Sequence, residues 1–102
     1  MEDFLRVVSA LNDETRVKML AFIDLYGRVC VCDIENSFGM IQSRVSRHLK
    51  ILKDAGFVFV EREGRWAYFS LAPLDGLRAD MLKNIRNLDL SLPELVHNCK
   101  VS

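Results

Sequence analysis

The sequence predicts a mainly helical α+β domain that carries a single β-hairpin. Three observations predict it. Apolar residues recur at helical spacing in segments up to residue 55: Phe4, Val7, Val8 and Leu11, then Val17, Leu20, Ala21 and Ile23, then Val45, Leu49, Ile51 and Leu52. The period then changes to a β-type run at Phe57-Val58-Phe59-Val60, with a second at Trp66-Ala67-Tyr68-Phe69-Ser70-Leu71. Beyond Pro73 the helical period returns, with Leu74, Leu77, Met81, Leu82, Ile85 and Leu88 on one stripe.

Each element has its own start and stop signals. The first helix runs from Asp3 to Leu11. Asn12 or Asp13 caps the second, and Gly27 closes it. A short helix follows from about Cys30 to Ser37 and ends at Gly39. The next spans about Gln42 to Ala55 and stops at Gly56. Between the β runs, Glu61-Arg62-Glu63-Gly64-Arg65 is polar and holds a turn glycine. Pro73 opens the last helix, and Pro93 breaks its pattern. Residues 1–90 are thus read as one domain and 91–102 as a C-terminal tail with His97 and Cys99. Helix, helix, short helix, longer helix, hairpin, helix is the order of a winged helix-turn-helix, in which the helix before the hairpin is the recognition helix.

Composition bounds the function. At 102 residues there is one domain, short enough for a dimer partner to supply part of the core. Half the residues are hydrophobic, so a packed core is feasible. Fourteen basic and fourteen acidic residues cancel, so any nucleic-acid surface must be a local patch. No apolar run approaches a membrane span and no charged-then-apolar leader opens the chain, so a cytoplasmic protein without membrane contact is expected. No paired carboxylates, nucleophile–base arrangement or phosphate-binding glycine loop points to an enzyme.

The local patch exists. From Gln42 to Lys53 the chain holds Arg44, Arg47, His48, Lys50 and Lys53 and no acid. Gln42, Ser43, Arg44, Ser46, Arg47 and His48 fall early in the helix, where a recognition helix meets base edges. Gln reads adenine, Arg reads guanine, and Ser serves either base or phosphate. Arg62 and Arg65 flank Gly64 at the hairpin tip, within reach of phosphate or the minor groove. The competing readings are a solvated basic face and, for His48, packing against the preceding helix.

Cys30 and Cys32 open the short helix. Helix N-termini stabilise thiolates, and thiolates hold soft ions. Residues at i and i+2 point to different sides of a regular helix, so one ion takes both sulfurs only if this turn is extended. Against this stand two small buried hydrophobes, a redox switch, and a structural zinc site assembled from Cys30, Cys32, His97 and Cys99. Three cysteines cannot all pair within one chain, and in a reducing cytosol thiols are expected free, metal-bound or redox-active.

These residues resemble the ArsR/SmtB family of metal-responsive repressors, from about Phe4 to Leu90. Ala10-Leu11-Asn12-Asp13-Glu14-Thr15-Arg16 looks like the family's opening segment, and Cys30-Val31-Cys32-Asp33 is similar to its metal box. Ser43-Arg44-Val45-Ser46-Arg47-His48-Leu49-Lys50 looks like its recognition helix, and Arg62-Glu63-Gly64-Arg65 like its wing tip. The resemblance implies a homodimer built from the first and last helices, here Phe4, Val7 and Val8 with Leu77, Met81, Ile85 and Leu88. It implies a repressor on operator DNA that is released when As(III) or Sb(III) binds cysteine thiolates, with no organic cofactor. Arsenite takes three sulfurs. Glu35-Asn36 stand where many arsenic sensors place a third cysteine, which leaves Cys99 as the candidate beside Cys30 and Cys32. Ile41 stands where the family often has a Ser or Thr cap. The alternatives are a redox-responsive or constitutive winged-helix regulator and a winged-helix protein-interaction module.

Overall fold

The computed structural model describes residues 1–97. Five helices and a three-stranded sheet follow in the order α1 (Glu2–Ala10), α2 (Glu14–Tyr26), β1 (Val29–Cys30), α3 (Val31–Phe38), α4 (Gln42–Asp54), β2 (Val58–Glu63), β3 (Trp66–Leu71) and α5 (Gly76–Arg86). This is the winged helix-turn-helix. Residues 91–97 carry no helix or strand. Among the described residues no helix is long and apolar enough to cross a membrane.

The helix ends follow local chemistry. Asp13 caps α2, its carboxylate accepting the Arg16 N–H at 3.0 Å. Gly39 ends α3 in the left-handed region, at φ 63°, ψ 40°. α4 starts at Ile41 with no side-chain cap. The last helix starts later than Pro73, because Asp75 takes the cap and accepts the Arg78 N–H at 2.9 Å. It also ends at Arg86, so Leu88 lies beyond the helix.

The wing is longer than the β runs alone suggest. β2 continues through Glu61, Arg62 and Glu63, which pair with Tyr68, Ala67 and Trp66. Only Gly64 and Arg65 are left in the loop, and Gly64 has the positive φ (61°) that a II′ turn needs at its first position. The sheet gains a third strand, because β1 pairs antiparallel with β3 through Val29↔Phe69 and Cys30↔Tyr68. Cys30 is thereby tied to the wing.

One core joins the layers. α2 contributes Met19, Leu20, Phe22 and Ile23, and α4 contributes Val45, Leu49 and Leu52, all fully buried. Val7 of α1 and Ile85 of α5 also enter this core, at 0% and 6% exposure. This corrects the expected dimer stripe: Val7 and Ile85 face their own chain, and Leu77 and Met81 are half-buried against the same core. Phe4, Val8 and Leu88 are left exposed, joined by Leu5.

Candidate nucleic-acid interface and cysteine site

Helix α4 is amphipathic, with Val45, His48, Leu49 and Leu52 buried. Its open surface carries Gln42, Ser43, Arg44, Ser46, Arg47 and Lys50, all exposed, and Arg62 and Arg65 are exposed on the wing. Gln42, Ser46, Lys50 and Lys53 form one wall of a groove of about 490 Å³, and Arg62, Arg65 and Trp66 form the facing wall. Ser43, Arg44 and Arg47 stand outside that groove. Lys53 belongs to the basic run of the sequence but not to its expected DNA-contacting set, and Trp66 enters there only as part of a β run. Lys53 was visible there, since it continues the Gln42, Ser46, Lys50 spacing down one helix face. Lys50 is paired with Asp54 at 2.8 Å, which partly neutralises its end of the stripe.

His48 departs from the expected set. Its ring is 6% exposed and lies on the inner side of α4, where Nδ1 sits 3.2 Å from Arg16 Nη1 of α2. A guanidinium only donates, so Nδ1 accepts and the proton resides on Nε2. Burial pushes the His48 pKa down. Arg16, Arg44 and Arg47 push the same way, and Asp13 opposes them.

The wing is braced from outside the hairpin. Arg28 pairs with Glu61 and Glu63 of β2, and its guanidinium lies 3.8 Å over the Tyr68 ring of β3.

The two cysteines occupy different backbone states. Cys30 precedes α3 in extended conformation (φ −89°, ψ 157°) and serves as its N-cap. Its Sγ accepts the Cys32 N–H at 3.2 Å, and its own N–H donates to Asp33 Oδ2 at 3.0 Å. Cys32 lies within the first turn, and its Sγ accepts from the Asn36 amide at 3.6 Å. The backbone is thus extended at Cys30 and helical at Cys32. Cys30 is buried and Cys32 half-buried, and both line the groove between α4 and the wing. Among the described residues no group of three or more His, Cys, Asp or Glu side chains is arranged to hold a metal ion. Cys99 lies outside the described residues.

Residues 13–59 match the family model of bacterial regulatory proteins of the arsR family. A putative arsenical resistance operon repressor, ArsR2, of Halobacterium salinarum is 36% identical over 83 residues, covering 80% of this chain and 70% of that one. The chain belongs to the ArsR family. A cadmium resistance transcriptional regulatory protein, a CadC homolog of Staphylococcus aureus, is 39% identical over 69 residues, 68% of this chain and 57% of its own length. The homodimeric winged helix-turn-helix DNA-binding domain of a possible ArsR-family regulator from Mycobacterium bovis superposes with a TM-score of 0.71 at 29% identity, covering 83% of this chain and 78% of that one. Matches to the curated regulators of Staphylococcus aureus, Pseudomonas putida and Escherichia coli span 52 to 59% of their lengths. The match to the ArsR family model begins at the cap of α2 and ends inside β2. It therefore takes in both the cysteine turn and the whole of α4.

His97 completes the surroundings of the ArsR-family cysteine turn. Its Nδ1 lies 3.1 Å from Asp33 Oδ1, the carboxylate whose other oxygen accepts from Cys30. The Val96 N–H donates to Ser37 Oγ at 2.8 Å. The segment after α5 is thus fastened along α3.

Proposed function

We propose that the protein is a transcriptional repressor that binds operator DNA as a homodimer and releases it when As(III) or Sb(III) binds the thiolates of Cys30 and Cys32. The observation that carries this reading is the shared groove. The cysteine pair opens onto the same cavity as Gln42, Ser46 and Lys50 of α4 and Arg62 and Arg65 of the wing. Gln42 to Arg47 present base-reading side chains from the first turns of α4, while the wing arginines contact backbone or minor groove. The dimer reading draws on the exposed Phe4, Leu5 and Val8 of α1 together with Leu88. It also draws on the homodimeric relative from Mycobacterium bovis.

Release follows from the double duty of Cys30. Its sulfur caps α3 and is also the first ligand. A sulfur committed to a soft ion is a poorer hydrogen-bond acceptor, so the cap over Cys32 loosens. Losing a helix cap costs about 0.5–2 kcal/mol. Tenfold weaker DNA binding needs about 1.4 kcal/mol of coupling, so one cap is enough. The third sulfur comes from Cys99, of the same or the partner chain, or from a small external thiol.

The test is a DNA-binding titration of the fully reduced protein on a duplex that it selects from randomised DNA. As(III) and Sb(III) are added in separate arms, with Cd(II) as a third. Dissociation by As(III) or Sb(III), lost in Cys30→Ser/Cys32→Ser, is the expected result. Dissociation that persists in the double variant overturns the sensing site.

A further inference from the structure

Arg16 joins three parts of the chain at one guanidinium. Its Nε donates to Ala10 O at 2.8 Å and its Nη2 to Ser9 O at 3.4 Å, both at the C-terminal end of α1. Its Nη1 lies 3.7 Å from Asp13 Oδ2 and 3.2 Å from His48 Nδ1. His48 follows directly on Arg47, so its ring roots the middle of α4 on this guanidinium. The same α1 carries the exposed Phe4, Leu5 and Val8.

We infer that Arg16 and His48 form a proton-sensitive clasp that sets the position of the recognition helix α4 relative to α1, with His48 as a positioning residue for DNA binding. The inference rests on the DNA-binding reading above. In a dimer joined through α1, the angle between α1 and α4 sets the distance between the two recognition helices, and that distance must match the spacing of the half-sites.

The clasp works with one protonation state only. Neutral His48 offers a lone pair at Nδ1 to the Arg16 N–H. Protonated His48 offers an N–H there, so donor meets donor. The added charge also stands among Arg16 of α2 and Arg44 and Arg47 of its own helix. Among the described residues Asp13, at the cap of α2, is the acid that faces it, and α1 presents the backbone carbonyls of Ser9 and Ala10 to the guanidinium. Burial and the three arginines keep His48 neutral at pH 7. Acidification opens the clasp.

The sign of the effect makes it testable. Adding positive charge to a DNA-binding protein ordinarily tightens its hold on DNA. The clasp predicts the reverse. Affinity for a 30-base-pair duplex selected from randomised DNA is measured by fluorescence anisotropy from pH 7.5 to 5.5 at constant salt, with circular dichroism at each pH. The wild type should weaken at least tenfold over this range while remaining folded. His48→Asn places a carboxamide oxygen where Nδ1 stood and cannot take up a proton, so its profile should be flat whatever its absolute affinity. Arg16→Gln should lose most of the pH dependence as well. Wild-type binding that stays level or tightens on acidification overturns the clasp, and so does a His48→Asn profile parallel to the wild type. If neither variant folds, the nitrogen-15 shifts of the wild-type His48 ring decide: a proton on Nδ1 at pH 7.5 overturns the clasp, and a bare Nδ1 whose titration tracks the loss of affinity supports it. Failure of the wild type to select any DNA at pH 7.5 would instead overturn the DNA-binding reading.

Discussion

Arg78 of α5 donates from Nε to the carbonyl of Ala55 at 2.6 Å, so a helix outside the helix-turn-helix holds the C-terminal end of α4. The same guanidinium pairs with Asp75 at 2.6 Å and with Asp3 of α1 at 2.5 Å. With Arg16, it anchors α4 to the surrounding helices at two points.

The Arg78 contact explains why glycine stands at residue 56. Gly56 has φ +83°, and a Cβ there would come within 2.8 Å of Arg78 Nε. Gly56→Ala should destabilise the fold by about 1–3 kcal/mol, combining left-handed strain with displacement of the arginine. For a domain of this size that lowers the melting temperature by roughly 4–8 °C per kcal/mol. Thermal unfolding followed by circular dichroism checks it. An unchanged midpoint would mean that neither the left-handed backbone nor Arg78 resists a methyl group there.

On the DNA face, Arg44 and Arg47 are exposed on α4. Arg44→Ala and Arg47→Ala should each weaken specific binding by about 1–3 kcal/mol where the side chain contacts a base. Binding should also fall steeply with added salt. Arg62→Ala, on the wing, should weaken all sequences alike. Unchanged binding in a folded Arg44→Ala/Arg47→Ala protein would remove α4 from the interface.

Because Cys30 caps α3, its two conservative replacements should separate folding from sensing. Serine is a favoured cap, so Cys30→Ser should fold and bind DNA while losing the As(III) response. Cys30→Ala has no acceptor for the Cys32 N–H and should lose about 1 kcal/mol of stability as well. Equal stability of the two variants in urea unfolding would show that the sulfur cap contributes nothing.

Exposure divides the expected dimer residues into two kinds. Phe4→Asp/Val8→Asp changes exposed positions and should yield a folded monomer by sedimentation at micromolar concentration. Val7→Asp places a charge in the chain's own core and should prevent folding. A Phe4→Asp/Val8→Asp protein that remains dimeric would move the interface elsewhere.

Stability should follow the protonation of His48. Its folded pKa is lowered from the ordinary value of 6.5, so the unfolded chain takes up the proton first. Its contribution is complete above about pH 6.5 and shrinks as pH falls below it. Asp13 and Asp24 are held low, so their contributions persist until the pH nears the ordinary carboxylate range. Urea unfolding at pH 7.5 and 5.5 should therefore show a loss that is smaller in His48→Asn. An equal loss in both proteins would assign it to other groups.

Much of this molecule was determined by the sequence alone. Caps and glycines placed α2, α3 and α4, since Asp13 acts through a residue three positions away and Gly39 and Gly56 through the positive φ of their own backbone, although the Arg78 side chain over Gly56 is a tertiary contact. The exposed basic run of α4 and the placement of Cys30 and Cys32 at a helix start were legible for the same reason. Only the tertiary structure decided what each face meets. Two residues, Val29 and Cys30, are too short a run to announce a strand, and they became one because β3 offered its free edge. His48 repeats at the right interval for either face of α4, and Arg16, thirty-two residues away, drew it inward. Val7 and Val8 are adjacent in one apolar stripe, yet one is core and the other surface. The groove that unites the cysteines with α4 and the wing joins residues from 30 to 69, and no local spacing encodes it. Periodicity determines which side chains share a face of one element, whereas the partner of that face is chosen by how all the elements pack around a single core.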